Sequence, residues 1–107
     1  MGEAKFRVEL TFSAARDLEG IDTYWTEQGE AWRGEKYYRD LKEFALSKLS
    51  SPDEARRGRF LSSPSNPEAR SVLAFGVYRI IYRINEDAHL IEILRFWHTH
   101  RDRPPLD

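Results

Sequence analysis

Residues 76–98, GVYRIIYRINEDAHLIEILRFWH, constrain the fold more than any other stretch, because they read as two strands joined by a short polar turn. Tyr78, Ile80, Tyr82 and Ile84 alternate with Arg79, Ile81 and Arg83, the period of two of a strand buried on one side. Asn85, Glu86 and Asp87 supply turn-forming residues, and residues 90–97 form the second β-rich run. Pairing Ile84 with His89 sets Ile80 opposite Ile93, Tyr82 opposite Ile91 and Arg79 opposite Leu94. One face then carries Tyr78, Ile80, Tyr82, Ile84, Ile91, Ile93 and Trp97, enough apolar surface for a core. The other carries Arg79, Arg83, Glu92, Phe96 and His98. A slip of one residue would turn a whole strand over, so the register decides which side chains are available for function.

The preceding chain supplies cover for one face of this hairpin. Residues 5–12, KFRVELTF, alternate Phe6, Val8, Leu10 and Phe12 with polar neighbours, predicting a half-buried strand. Ser13 is a capping residue for a helix in which Ala14, Leu18, Ile21 and Trp25 recur at helical spacing, and Gly29 is its expected end. A second helix is predicted over about 30–49, with Tyr37 or Tyr38, Leu41, Phe44, Ala45 and Leu49 on its buried stripe. Ser50-Ser51-Pro52 stops it. Residues 52–69, rich in proline and serine, predict a surface loop with at most a brief strand near Phe60. Residues 70–75 predict a short strand, and residues 99–107 an extended tail. The fold class is therefore α+β, with a helical hairpin packed on one face of a mainly antiparallel sheet in the order β-α-α-β-β-β, as one domain over residues 1–107.

With 107 residues and no cysteine, the chain has neither a disulfide framework nor a thiolate metal site, which suits a reducing compartment. The first residues lack the apolar core of a signal peptide and no apolar run is of membrane-spanning length, so a cytoplasmic location without a membrane partner is expected. The net charge of −1 is poorly suited to gripping a nucleic-acid backbone. Its distribution is uneven. Residues 1–55 hold 8 Lys+Arg against 12 Asp+Glu, a balance of −4, and residues 56–107 hold 9 against 6, a balance of +3. All nine later cations are arginine, the side chain suited to bidentate contacts with carboxylates and phosphates.

There is no glycine-rich phosphate loop and no nucleophile elbow, and nothing implies a cofactor. His98 and His100 would share a face of an extended strand, but without a third ligand no metal site is expected. Arg79, Glu92 and His98 form the strongest constellation, since the inferred register puts all three on the open face. Cleavage of RNA through its 2′-hydroxyl needs a base, an acid and positive charge for the developing phosphorane. His98 and Glu92 could move protons while Arg79 and Arg101 hold the phosphate. The competing reading is that Glu92 pairs across the strands with Arg79 or Arg83. Parity puts Arg95 among the inward residues, where a charge needs a partner, and Asp17 or Asp22 on the first helix is the expected one. Trp25, Trp32 and Trp97 read as core or interface residues.

Taken together, the opening strand, Ala14, Asp17, Leu18 and Ile21 in the pattern A-x-x-D-L-x-x-I, Leu41, Pro52, Arg70, Y-R-I-I-Y at 78–82 and I-L-R-x-x-H-x-x-R-D at 93–102 resemble the ParE/RelE superfamily of type II toxin–antitoxin toxins, nearest its ParE or plasmid-stabilisation branch. The resemblance implies the same β-α-α-β-β-β fold. It implies one of two activities: RelE-like members are ribosome-dependent endoribonucleases that cut mRNA, and ParE-like members lack that catalytic set and poison DNA gyrase. Carried across, it makes Arg79, His98 and Arg101 the catalytic residues of a RelE-like nuclease. Arg70, Arg83, Glu92 and Phe96 are the candidate binding residues. The near-neutral charge and the absence of lysine after Lys48 favour the gyrase poison over the mRNA interferase. A toxin-fold interaction module without activity is a third reading. Under all three the implied partner is a cognate antitoxin, in a hetero-oligomer, laying apolar and acidic side chains on exposed sheet edge and arginine-rich surface.

Overall fold

A computed structural model describes residues 4–99. Five strands, β1 (Arg7–Leu10), β2 (Arg59–Phe60), β3 (Arg70–Ala74), β4 (Tyr78–Asn85) and β5 (Leu90–His98), form one sheet in the order β1-β5-β4-β3-β2. Helices α1 (Phe12–Glu27) and α2 (Ala31–Glu43) make the hairpin that covers one face, and a short α3 (Pro52–Arg56) follows. The α+β architecture expected from the sequence is present. β1 runs parallel to β5, and the other pairs are antiparallel.

Several boundaries differ from the sequence expectation, each for a local reason. Thr11, not Ser13, caps α1: its Oγ1 accepts the Ala14 amide hydrogen at 3.1 Å, so the helix takes in Phe12, which is 77% exposed instead of inward-facing. α2 ends at Glu43 and continues as a π-helical turn over Phe44–Lys48. Pro52 both ends that segment and starts α3, where Asp53 and Glu54 sit in the first turn and Arg56 in the last, an arrangement favoured by the helix dipole. The expected loop over 52–69 therefore begins with a helical turn, although the brief strand near Phe60 is present as β2. Gly29, with φ of +79°, lies just beyond the end of α1 as predicted.

The core lies between the helices and the sheet. Ala14, Leu18 and Ile21 of α1 and Leu41 of α2, with Ala45 and Leu49 beyond it, pack on Ile80, Tyr82, Ile91, Ile93 and Phe96. At one end of this layer the Trp25 Nε1–H donates to the Tyr78 hydroxyl at 3.2 Å, and the rings of Tyr37 and Tyr78 meet edge to face.

The β4–β5 register departs from the inferred one in two steps. The turn spans residues 86–89, so Asn85 pairs with Leu90 and Ile84 with Ile91. Relative to the expectation this is a shift of two, which preserves the face of every residue near the turn. Farther along, Tyr82 pairs with Ile93 but Ile81 pairs with Arg95, leaving Leu94 as the extra residue of a β-bulge. Parity inverts beyond it. Phe96 falls opposite Ile80 and His98 opposite Tyr78, toward the helices, while Trp97 falls opposite Arg79.

Tyr82 anchors the sheet to α3. Its side chain is fully buried and its hydroxyl donates to the Ala55 carbonyl at 2.6 Å. Burial pushes the phenol up to about 12. Gly58 leaves the space the hydroxyl needs, since a Cβ there would overlap it. Gly58→Ala is expected to destabilise the fold by about 2 kcal/mol in urea unfolding, through overpacking at a site that cannot yield without breaking a buried hydrogen bond. Because the native phenol ionises above its ordinary value of 10.0, raising the pH from 10 toward 12 favours ionised, unfolded chains. The urea midpoint should therefore fall over that window, and Tyr82→Phe should flatten the fall.

Candidate functional site

Two regions carry the polar side chains singled out from the sequence: the sheet face turned away from the helices, and a cleft between α1 and the ends of β4 and β5. On the first, Glu92 sits opposite Arg83, whose Nε and Nη2 both donate to Glu92 Oε1 at 3.1 and 2.9 Å. The neighbouring Glu9, beside Glu92 across β1 and β5, is paired with Arg7 at 3.0 Å. The charges on this face thus alternate and cancel locally. Arg79 is exposed and its nearest polar contact is the Ser71 hydroxyl at 3.4 Å, a weak hydrogen bond.

His98 does not join Arg79 and Glu92. The bulge carries it to the helix side, where its ring meets Tyr78 edge to face at 5.2 Å. The expected placement of Arg79, Glu92 and His98 on one face is therefore corrected, and so is that of Phe96, which is 3% exposed and part of the core. Arg101 and His100 lie outside the described residues. Arg70 is occupied within the fold: its Nη1 donates to the carbonyls of Arg56 and Gly58 at 2.7 and 3.1 Å, and its guanidinium lies 4.0 Å from the Phe60 ring centroid. Among the described residues no group of three or more His, Asp or Glu side chains is arranged to hold a metal ion, and no helix is long and apolar enough to cross a membrane.

The second region is built around Asp17. Its Oδ2 accepts from Arg95 Nε at 2.7 Å and from the Phe96 amide at 3.0 Å, and its Oδ1 accepts from Arg95 Nη2 at 2.9 Å. The partner expected for Arg95 is thus in place, and the carboxylate beside it holds the guanidinium above its ordinary value. Next to this pair opens a cavity of about 270 Å³ lined by Arg16, Asp17, Gly20, Ile21, Tyr24, Tyr78, Phe96 and His98. Sequence reasoning missed Arg16, Gly20 and Tyr24. Their signal was a spacing of four residues, which continues back to Phe12 and sets all of them on one face of α1.

Residues 8–103 match the family described as the ParE toxin of type II toxin–antitoxin systems, parDE. The chain belongs to the ParE toxin family. Among solved structures, this ParE-family chain is similar to the toxin–antitoxin complex RelBE2 from Mycobacterium tuberculosis, with 26% identity and a TM-score of 0.67 over 90% of this chain and 100% of that one. It also shares the fold of the chromosomal ParDE toxin–antitoxin system of P. aeruginosa, at 22% identity and a TM-score of 0.71, over 90% of this chain and 98% of that one. No curated protein sequence matches it.

Removing the Asp17 carboxylate leaves a half-buried guanidinium and a strand amide without their acceptor. Asp17→Ala is expected to cost about 3 kcal/mol in chemical denaturation, and much less in an Arg95→Met background, where only the amide is orphaned. Equal costs in the two backgrounds would show that the ion pair contributes nothing.

Proposed function

We propose that this ParE-family toxin arrests growth by poisoning DNA gyrase, without catalysis of its own, and is neutralised in the cytoplasm by a cognate antitoxin with which it forms a hetero-oligomer. The observation that carries the non-nucleolytic reading is the separation of Arg79 from His98 by the β5 bulge, which puts the two on opposite faces of the sheet. Acid–base cleavage of RNA needs those groups around one phosphate, within hydrogen-bond reach of the atoms that exchange protons. Electrostatics support the same reading. Glu92 neutralises Arg83, and a net charge of −1 supplies little of the phosphate attraction a ribosome-bound nuclease needs. An antitoxin partner is supported by the relatives, whose solved structures are described as toxin–antitoxin complexes or systems.

The test is induction in cells lacking the antitoxin, with DNA and protein synthesis followed separately by pulse labelling. DNA synthesis should fail first, with cleaved DNA and an SOS response, and Arg79→Ala and His98→Ala should remain toxic. Prior failure of protein synthesis with mRNA cut at codons, abolished by His98→Ala, would establish the mRNA interferase instead. Absence of any growth arrest, with antitoxin binding retained, would leave an interaction module.

A further inference from the structure

We infer that the surface where the π-helical turn after α2 meets the β3–β4 turn takes a second copy of this chain, the two copies packing Phe75 of one against Phe75 of the other about a two-fold axis. This goes beyond the proposed function and holds whichever cellular target the toxin has. The surface is separate from the cleft beside Asp17, with which it shares no lining residue.

Phe75 is the first sign that this surface is used. Its φ of +54° lies in the left-handed region, where a bulky side chain is an outlier and asparagine or glycine is preferred. Gly76, at +74°, meets the same demand of the turn without strain. Despite that cost the Phe75 ring is 51% exposed, and the ring it meets is Phe44, edge to face at 5.9 Å. Asparagine would serve the turn better, and half of the ring packs on nothing in the monomer. Backbone strain of this kind clusters at functional surfaces.

Charge names the occupant. Phe75 and Phe44 sit in a shallow groove whose other walls follow one side of α2 and its π-helical extension, with Asp40 and Glu43 before the aromatic pair and Ser47 and Lys48 after it. Asp40 is held by Lys36 at 2.6 Å, but among the described residues neither Glu43 nor Lys48 makes an ion pair. Lys48 lies over the Phe44 ring, its Nζ 5.6 Å from the centroid. A stripe that reads acid, aromatic, base is complementary to itself run backwards. A two-fold axis through the rings sets Glu43 of each copy against Lys48 of the other, the self-complementary pattern that an isologous contact requires. The contact is small. It falls short of the ~800 Å² per partner of a stable interface, so the dimer is weak and forms at high concentration.

Sedimentation velocity of the purified full chain tests this. The mass should rise toward twice that of the monomer between about 20 μM and about 1 mM. Phe75→Asn should abolish the rise and should melt no more than about 3 °C below the parent chain, because asparagine suits the left-handed backbone. Glu43→Lys and Lys48→Glu should each weaken pairing about fivefold, and the chain carrying both exchanges should regain it, since the cross-copy pairs are then restored with their signs reversed. A chain that stays monomeric at about 1 mM overturns the inference, as does a Phe75→Asn chain that pairs like the parent. A fall of more than about 3 °C in that variant would assign the ring to the fold and overturn it equally. So would failure of the double exchange to restore pairing.

Discussion

The arrangement of this toxin depends on the way the first half of α1 holds the outer edge of β5. β1 ends at Leu10, opposite Ile93, so from Leu94 onward β5 has no strand beside it on that edge. Two side chains of the adjoining segment take the place of the missing strand. Thr11 Oγ1 donates to the Leu94 carbonyl at 3.0 Å while accepting the Ala14 amide in the first turn of α1, and Asp17 accepts the Phe96 amide. A bare strand edge invites pairing with other chains, and here helix-borne oxygens close it where it leaves β1. The bulge at Leu94 lies between those two contacts, so the same bonds that dock α1 also fix which face each later β5 residue presents.

Much of this was legible in the sequence, because its strongest signals are local. The alternation in β4 specified a strand and its helix-facing side correctly, although Ile81 on the other side is buried as well, and Ala14, Leu18 and Ile21 specified the buried side of α1. The bulge was harder to see, since it carries neither glycine nor proline and leaves the composition of β5 unchanged. Its trace was Arg95, which strict alternation from Ile91 and Ile93 would have put among inward residues. An inward-placed arginine and two aspartates on the first helix narrowed the partner to Asp17 or Asp22, of which the structure has Asp17, and the same conflict also marked the place where alternation stops. Phe96, Trp97 and His98 all changed face for that one reason. The turn register erred by two residues without consequence, because a side-chain period of two forgives even shifts and not odd ones.

The concentration of arginine in the second half looked like a surface for an anionic partner. The structure spends most of it within the fold. Arg56 meets Glu86 at 2.7 Å, Arg57 meets Glu54, Arg83 meets Glu92 and Arg95 meets Asp17, while Arg70 holds two backbone carbonyls. The Arg56 guanidinium draws the Glu86 carboxyl below its ordinary value, as a partner does even at an exposed site. Arg57 and Arg95 pair with acidic residues of the first half, so part of the opposition between a −4 half and a +3 half cancels where the halves meet. Charge asymmetry along a sequence becomes a field at the surface only when the fold leaves it unpaired.

α1 is read most economically as having three working sides. Ala14, Leu18 and Ile21 face the core, and Asp17 faces the β5 edge. Phe12, Arg16, Gly20 and Tyr24 face outward beside the cleft. The first two sides explain why the helix stays where it is. The third contributes nothing to that: it exposes two aromatic rings to water and places glycine where alanine would serve the helix better. That stripe borders the cavity whose floor is Ile21 and Phe96 and whose walls carry Arg16, Asp17, Tyr78 and His98. Because the same helix carries Asp17, any shift of α1 bears directly on the contacts that set the faces of β5.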